Sequence, residues 1–301
     1  MYSYVAYGLN ISSAIALPEL PELPKDEKID LTIRFGSIDW HLPEPLEQWS
    51  YCKFDGDTAY LGWQIVGKFL VKGGKEIIIE PFADVEERVM RLPLLGSVLA
   101  MVLHQRNFLI LHGSAVAIEN KAAIFVGAKG QGKSTITATL YAQGHPLITD
   151  DIAALKAHET NSYSLISGFP QIKLWPEAVE AALNREAKEF GKIHPEIEKR
   201  AFAPSDSFSS LSYPVKKIYV LSVGETLGIK PLNPQEVISS LLANSFIPLL
   251  TGEEFEKDEL RVSHFRQCVN IANSLPVCLL ERPRSLKLLQ DTAKLIEADF
   301  L

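Results

Sequence analysis

One stretch of about thirty residues, Lys121 to Asp151, constrains this chain more than any other. Ala122 to Val126 is an apolar run of strand length. It runs straight into Gly127, Ala128, Lys129, Gly130, Gln131, Gly132, Lys133 and Ser134, followed by Thr135. That order matches G-x-x-x-x-G-K-[ST], the phosphate-binding P-loop. Ser134 to Gln143 has helical composition, Gly144 ends it, and Pro146 bars its continuation. Leu147 to Thr149 then lead into paired carboxylates, Asp150 and Asp151.

The spacing has a physical reason. A polyphosphate needs several donors converging on it, and backbone N–H groups supply them where the chain curls without Cβ clashes. Gly127, Gly130 and Gly132 permit that curl. The loop opens a helix, whose N-terminal dipole favours anions. Lys133 is placed to reach β- and γ-phosphates, and the Ser134 hydroxyl to ligate Mg²⁺. A carboxylate on the neighbouring strand completes such a metal site, and a second one takes a proton from an attacking hydroxyl. Asp150 and Asp151 both stand where either task is performed, at the carboxyl end of a strand.

Composition narrows the class. The net charge of −7 gives no electrostatic footprint for nucleic acid. An acidic membrane surface is equally disfavoured. Cys52, Cys268 and Cys278 show no metal spacing, and an odd count argues for reduced thiols in the cytoplasm. Met1 to Leu20 lacks the pattern of a signal peptide. The most apolar stretch, Leu92 to Leu103, is shorter than the ~20 residues of a membrane span. It reads as a buried helix from about Val85 to His104, bent near Pro93.

The chain divides near residue 83. Before it come short strand-like runs, Leu31 to Phe35, Thr58 to Trp63, Gly67 to Val71 and Glu76 to Ile79, with glycine turns between them. A β-rich unit is expected over residues 1–83 and a P-loop catalytic unit over 84–301. In the second unit, Phe108 to Ile118 reads as a strand broken by Gly113. Further strands are expected at Ser162 to Ile166, Ile172 to Leu174, Lys216 to Val223 and Val277 to Leu280. Helices are expected at Pro176 to Leu183, Pro234 to Leu242, Glu256 to Asn273 and Ser285 to Phe300. The last carries Leu286, Leu289, Ala293, Ile296 and Phe300 on one face. The charged run from Glu186 to about Ser212 reads as a solvated helix and loop. Strands alternating with helices give an α/β core.

Three groups of residues carry a family resemblance: His112-Gly113, the narrower pattern Gly127-x-x-Gly130-x-Gly132-Lys133-Ser134, and Gly144-His145 through Asp150-Asp151. Together they resemble the HPr serine kinase/phosphorylase family, which shares its P-loop fold with phosphoenolpyruvate carboxykinases. Tyr7 to Ser12, Leu17 to Leu20, Ser167 to Pro176 and Leu280 to Pro283 resemble the HPr-kinase-like proteins of ribosomal peptide clusters, lasso-peptide clusters above all. That second resemblance implies phosphorylation of a precursor peptide on a serine, typically C-terminal, using ATP and Mg²⁺. Carried over by position, Lys133 holds the β/γ-phosphates, Asp150 is the base, Ser134 and Asp151 hold metal, and His112 stands beside the aspartates. His145 reads as structural and Arg282 as a candidate for stabilising phosphate charge. The glycine-rich signature that follows the aspartates in true HPr enzymes is absent, which argues against phosphorylase activity and against HPr as acceptor. HPr kinases assemble as hexamers, so a homo-oligomer is within the resemblance. The residues alone leave open a small-molecule kinase, an HPr-type kinase and a nucleotide-dependent switch.

Overall fold

The computed structural model describes residues 1–24, 27–42, 50–159, 161–194, 196–204, 208, 212–246 and 258–301, with the backbone alone over 258–261. Short runs of alternating burial mark the first part. In β2 (Leu9–Ser13), β6 (Gly67–Lys72) and β7 (Glu76–Pro81), every second side chain is buried, as a sheet with one covered face requires. With β1 (Tyr2–Ala6), β3 (Leu31–Phe35), β4 (Ser50–Asp55) and β5 (Thr58–Trp63) they form a seven-stranded sheet in the order β1-β2-β3-β7-β6-β5-β4.

Its covering layer is the apolar segment after residue 83. That segment forms α1 (Glu87–Pro93), a π-helical turn over Leu94–Val98, and α2 (Leu99–Gln105). The irregular turn directly follows Pro93, whose ring nitrogen cannot donate to the helix ladder. Leu94 to Leu103 share one apolar cluster with Leu61, Phe69 and Ile77 of the first sheet and Ile110, Ile152 and Ala154 of the second. The largest core therefore continues across residue 83.

The second sheet is built around three parallel strands, β9 (Lys121–Val126), β16 (Ser212–Val223) and β18 (Val277–Arg282). Each is apolar on both faces because helices cover both. Ala123, Phe125, Tyr219, Leu221 and Leu280 pack against α3 (Lys133–Ala142) and the last helix, α7 (Leu289–Phe300). Ile124, Val126, Ile218 and Val220 face the other way, onto α5 (Pro234–Ala243) and α6 (Asp258–Ser274). The helix expected from Glu256 begins, in the described residues, at Asp258. Antiparallel neighbours complete the sheet: β8 (Leu109–Ile118), β10 (Leu147–Thr149), β11 (Ile152–Ala157), β12 (Tyr163–Ile166) and β17 (Gly228–Pro231). The molecule is thus a mixed α/β protein. Among the described residues, no helix is long and apolar enough to cross a membrane.

Several elements differ from expectation. β8 is not broken at Gly113. That residue lacks a Cβ because one would lie 2.9 Å from the Phe125 carbonyl oxygen of the adjacent strand. The charged run is not a solvated helix and loop. Its described residues form β14 (Lys192–His194) and β15 (Ile197–Phe202), which join β13 (Ile172–Leu174) in a three-stranded sheet beside α4 (Pro176–Leu183). At the C-terminal end a 3₁₀ turn over Leu286–Leu288 precedes α7, and Leu286 is exposed while Leu289, Ala293, Ile296 and Phe300 are buried.

Candidate active site

The loop between β9 and α3 sits at the carboxyl end of the parallel strands, where open α/β sheets bind ligands. Gly127, Gly130 and Gly132 have φ of 153°, 86° and 86°. Side chains avoid that region, so glycine alone lets this turn form without strain. Gly132 caps α3 with no side-chain acceptor, which leaves the first N–H groups of the helix directed at the loop. Lys133 is 6% exposed, and its Nζ donates to the carbonyls of Gly127 (2.7 Å) and Ala128 (3.3 Å). Burial pulls its pKa down, opposed by the nearby Asp151 and Asp150. A buried ammonium held by neutral carbonyls is poised for an anion.

The two aspartates meet opposite environments. Asp150 is buried. Its Oδ1 accepts from Ser114 Oγ (2.5 Å) and Ser134 Oγ (2.8 Å), and its Oδ2 accepts from the Lys173 backbone N–H (2.9 Å). Burial and the Asp151 charge raise its pKa. Asp151 adopts φ of 70°, a left-handed conformation that an aspartate takes only at some cost. The turn closes with Ile152 N–H donating to the Asp150 carbonyl at 3.0 Å. It sends the Asp151 carboxylate into the cleft, where Oδ2 pairs with Lys173 Nζ at 2.9 Å. Burial alone would raise the Asp151 pKa, but the Lys173 ammonium outweighs it and holds the carboxyl well below the usual range.

His112 completes this corner. Its Nδ1 lies 3.2 Å from the Asp151 backbone carbonyl, which can only accept, so Nδ1 carries the hydrogen. Phe246 packs edge-on against the ring, 5.8 Å between centroids. Burial, then Lys133, lowers the His112 pKa and favours the neutral ring.

The cleft encloses about 500 Å³. Of the expected residues, Lys129, Gly130, Gly132, Lys133, Ser134, Thr135, His112 and Asp151 line it. Gly127 and Ala128 stand behind, serving Lys133 through their carbonyls. The Gln131 carbonyl accepts from Arg282 Nη2 at 3.0 Å, and that nitrogen lies where a Cβ on Gly132 would be, 2.1 Å away. Arg282 thus braces the loop from outside while also lining the cleft, and its buried Nε has no partner among the described residues. His145 lies apart, 2.7 Å from Glu297 of α7.

Sequence reasoning gave no role to Ser114, Lys173 or Arg284, and Lys199 figured only as one of many charges. Lys173 leaves a faint trace, a lysine between Ile172 and Leu174 in a short buried strand. With Lys173, Lys199 and Arg284, the charged residues that line the cleft among the described residues are Lys129, Lys133, Lys173, Lys199, Arg282 and Arg284 against Asp151 and Glu177. In a chain of net charge −7 this is a concentrated positive site, suited to a polyanion.

The donor set also fits a magnesium ion. Ser134 and Asp150 offer a hydroxyl and a carboxylate 2.8 Å apart. Among the described residues, no group of three or more His, Cys, Asp or Glu side chains forms a metal cage. Mg²⁺ is held in this way, by one or two protein oxygens with water and phosphate supplying the rest.

No protein-family profile matches the chain, and no curated protein sequence does. Among solved structures, the Hpr(Ser) kinase/phosphatase from Coxiella burnetii overlaps it with a TM-score of 0.34 and 12% identity, over 63% of this chain and 95% of that one. The overlap is loose, and this chain's own residues carry the functional reading.

Proposed function

We propose that the protein is an ATP- and Mg²⁺-dependent P-loop serine kinase of the HPr-kinase-like type. In this reading residues 84–301 form the catalytic unit and residues 1–83 a β-rich N-terminal unit. One observation carries it: a single positive cleft joins a glycine loop and its buried lysine to a carboxylate pair, one member on Ser134 and the other facing the cavity.

The geometry supports the following roles. The loop N–H groups, Lys133 and the two arginines hold the triphosphate. Ser134 and Asp150 would hold Mg²⁺, which supplies neutralisation of charge on the β- and γ-phosphate oxygens. Asp151 takes the proton from the acceptor hydroxyl. This reverses the assignment that the family resemblance suggests, because Asp150 is enclosed by three donors and only Asp151 reaches the cleft. His112 fixes the left-handed turn through the Asp151 carbonyl. The new bond joins the acceptor oxygen to the γ-phosphorus, the bond to the β–γ bridging oxygen breaks, and ADP leaves. Asp151 is ionised at neutral pH. Such a weak base suffices, since the loose transition state of phosphoryl transfer asks mainly for positioning and charge neutralisation.

The acceptor we propose is a serine, C-terminal or near it, of a ribosomally made precursor peptide such as a lasso-peptide precursor. The free thiols of Cys52, Cys268 and Cys278 suit a cytoplasmic setting. The test is incubation with ATP, Mg²⁺ and a peptide ending in serine, read by mass spectrometry. A gain of one phosphate at the serine, lost with Lys133→Ala, is expected. ATP bound and left intact beside every serine peptide would defeat the reading.

A further inference from the structure

Three lysines share the cleft with one aspartate. Lys133, Lys173 and Lys199 all line the cavity that Asp151 faces. Two have work already: Lys173 is bonded to Asp151, and Lys133 is drawn back onto the phosphate loop. Lys199 has neither. It projects from β15, the hairpin strand behind the cleft, and lines the cavity with its Nζ 5.8 Å from the centre of the Trp175 ring. The neighbouring hairpin cations, Lys192 and Arg200, are both paired with Glu198. Among the described residues, Lys199 has no carboxylate of its own.

An ammonium that lines a cleft without a carboxylate of its own is a place for an anion that arrives with a ligand. The triphosphate does not explain it, since Lys129, Lys133 and Arg284 already stand around the loop. The acceptor hydroxyl must lie against Asp151 in the same cleft, so an anion that answers Lys199 belongs to the acceptor rather than to the nucleotide. We infer that Lys199, steadied over Trp175, selects acceptors bearing a carboxylate next to the reacting hydroxyl. The inference rests on the kinase reading and goes beyond it by naming what the acceptor must carry. Two sources supply this chemistry: the C-terminal carboxylate of the serine itself, or an acidic side chain beside it.

The experiment compares three peptides of one sequence: the serine-terminated free acid, its C-terminal amide, and the amide with glutamate before the serine. Each is assayed for kcat and KM with the wild-type protein, Lys199→Gln and Lys199→Arg. One carboxylate-bearing peptide should exceed the plain amide by roughly tenfold or more in kcat/KM, the gain expected of a charge-assisted hydrogen bond. The gain should lie in peptide KM, vanish in Lys199→Gln and return largely in Lys199→Arg. Preference for the free acid identifies the chain terminus as the source, and preference for the glutamate peptide identifies the side chain. Equal phosphorylation of all three by the wild type would overturn the inference and leave the kinase standing. So would a Lys199→Gln variant that raises KM for ATP and keeps its peptide preference. Phosphate on none of the three would bring down the peptide-kinase reading and this inference with it.

Discussion

The two walls of the cleft are made differently. One is nine consecutive residues, 127–135, whose donors are mostly backbone N–H groups fixed by glycine conformations. The other is side chains from three distant segments: Lys173 on β13, Lys199 on β15, and Arg282 with Arg284 at the end of β18. A backbone wall is preset and indifferent to side-chain identity outside the glycines, Lys133 and Ser134. A side-chain wall can be retuned one residue at a time. In the proposed kinase, the first wall suits the part of a substrate that never changes, the triphosphate. The second is shared: Arg282 and Arg284 also face the triphosphate, and Lys199 is left to distinguish one acceptor from another.

The contrast can be broken most severely at Lys133. Lys133→Ala should lower phosphoryl transfer by about 10³-fold or more, since among the described residues Lys133 is the lysine whose ammonium is buried against the loop carbonyls. Near-normal turnover in a steady-state assay would show that the loop is not the phosphate wall. Next comes the aspartate pair. Asp151→Asn should cost about 10²- to 10³-fold in kcat while ATP still binds. Asp150→Asn should cost stability, about 1–3 kcal/mol, because an amide NH₂ would face donors that the carboxylate now accepts. Thermal melts and turnover measured on both variants separate these outcomes, and identical profiles would erase the distinction drawn between the two residues.

A third variant probes the backbone wall. Gly132→Ala introduces about 1–2 kcal/mol of left-handed strain and sets a Cβ against Arg282. ATP affinity by calorimetry should fall about tenfold. Gly144→Ala is the control, with φ of 100° but nothing within 4 Å of the new methyl group. It should lose stability and keep its affinity.

A smaller effect is expected at Lys173, and it is a matter of pH. Lys173 holds the Asp151 pKa below its unfolded value. The stabilisation it gives is therefore present above the unfolded carboxylate pKa of about 3.9 and is lost as pH falls through the lower folded value. Lys173→Met removes it at neutral pH and lets burial raise the pKa. The acid limb of kcat/KM should move to higher pH. An unmoved limb would mean that Asp151 is not the group titrating in the reaction. The smallest effect belongs to Tyr7→Phe, which deletes a 3.5 Å contact to Thr149 and should change stability by no more than about 0.5–1 kcal/mol.

The same division governs what the sequence discloses. The loop is readable because its logic is local: an apolar run, glycines at set positions, then Lys133 and Ser134. The roles of Asp150 and Asp151 are not, because they depend on a left-handed φ at one residue and on a lysine 22 positions away. Arg282 meets Gln131 across 151 positions, a contact no window of sequence contains. β14 and β15 are hidden for another reason. Their residues are largely charged, and pairing with β13, rather than an alternating pattern, makes them strands. β11 is obscured by Ile152 to Leu155, an apolar run whose period fits a strand or a helix equally.

β18 lies between β16 and β17 although nearly all of the chain precedes it. Its pairing with β16 joins residues 218–223 to 277–282, and its last residue braces a loop formed far earlier. Contacts of such long sequence separation form late in folding. A growing polypeptide that has already exposed its phosphate loop therefore has no braced loop and no arginines over it. Translation must pass Arg284 before the positive wall is complete, so a prematurely terminated product carries the glycine loop without its arginine brace.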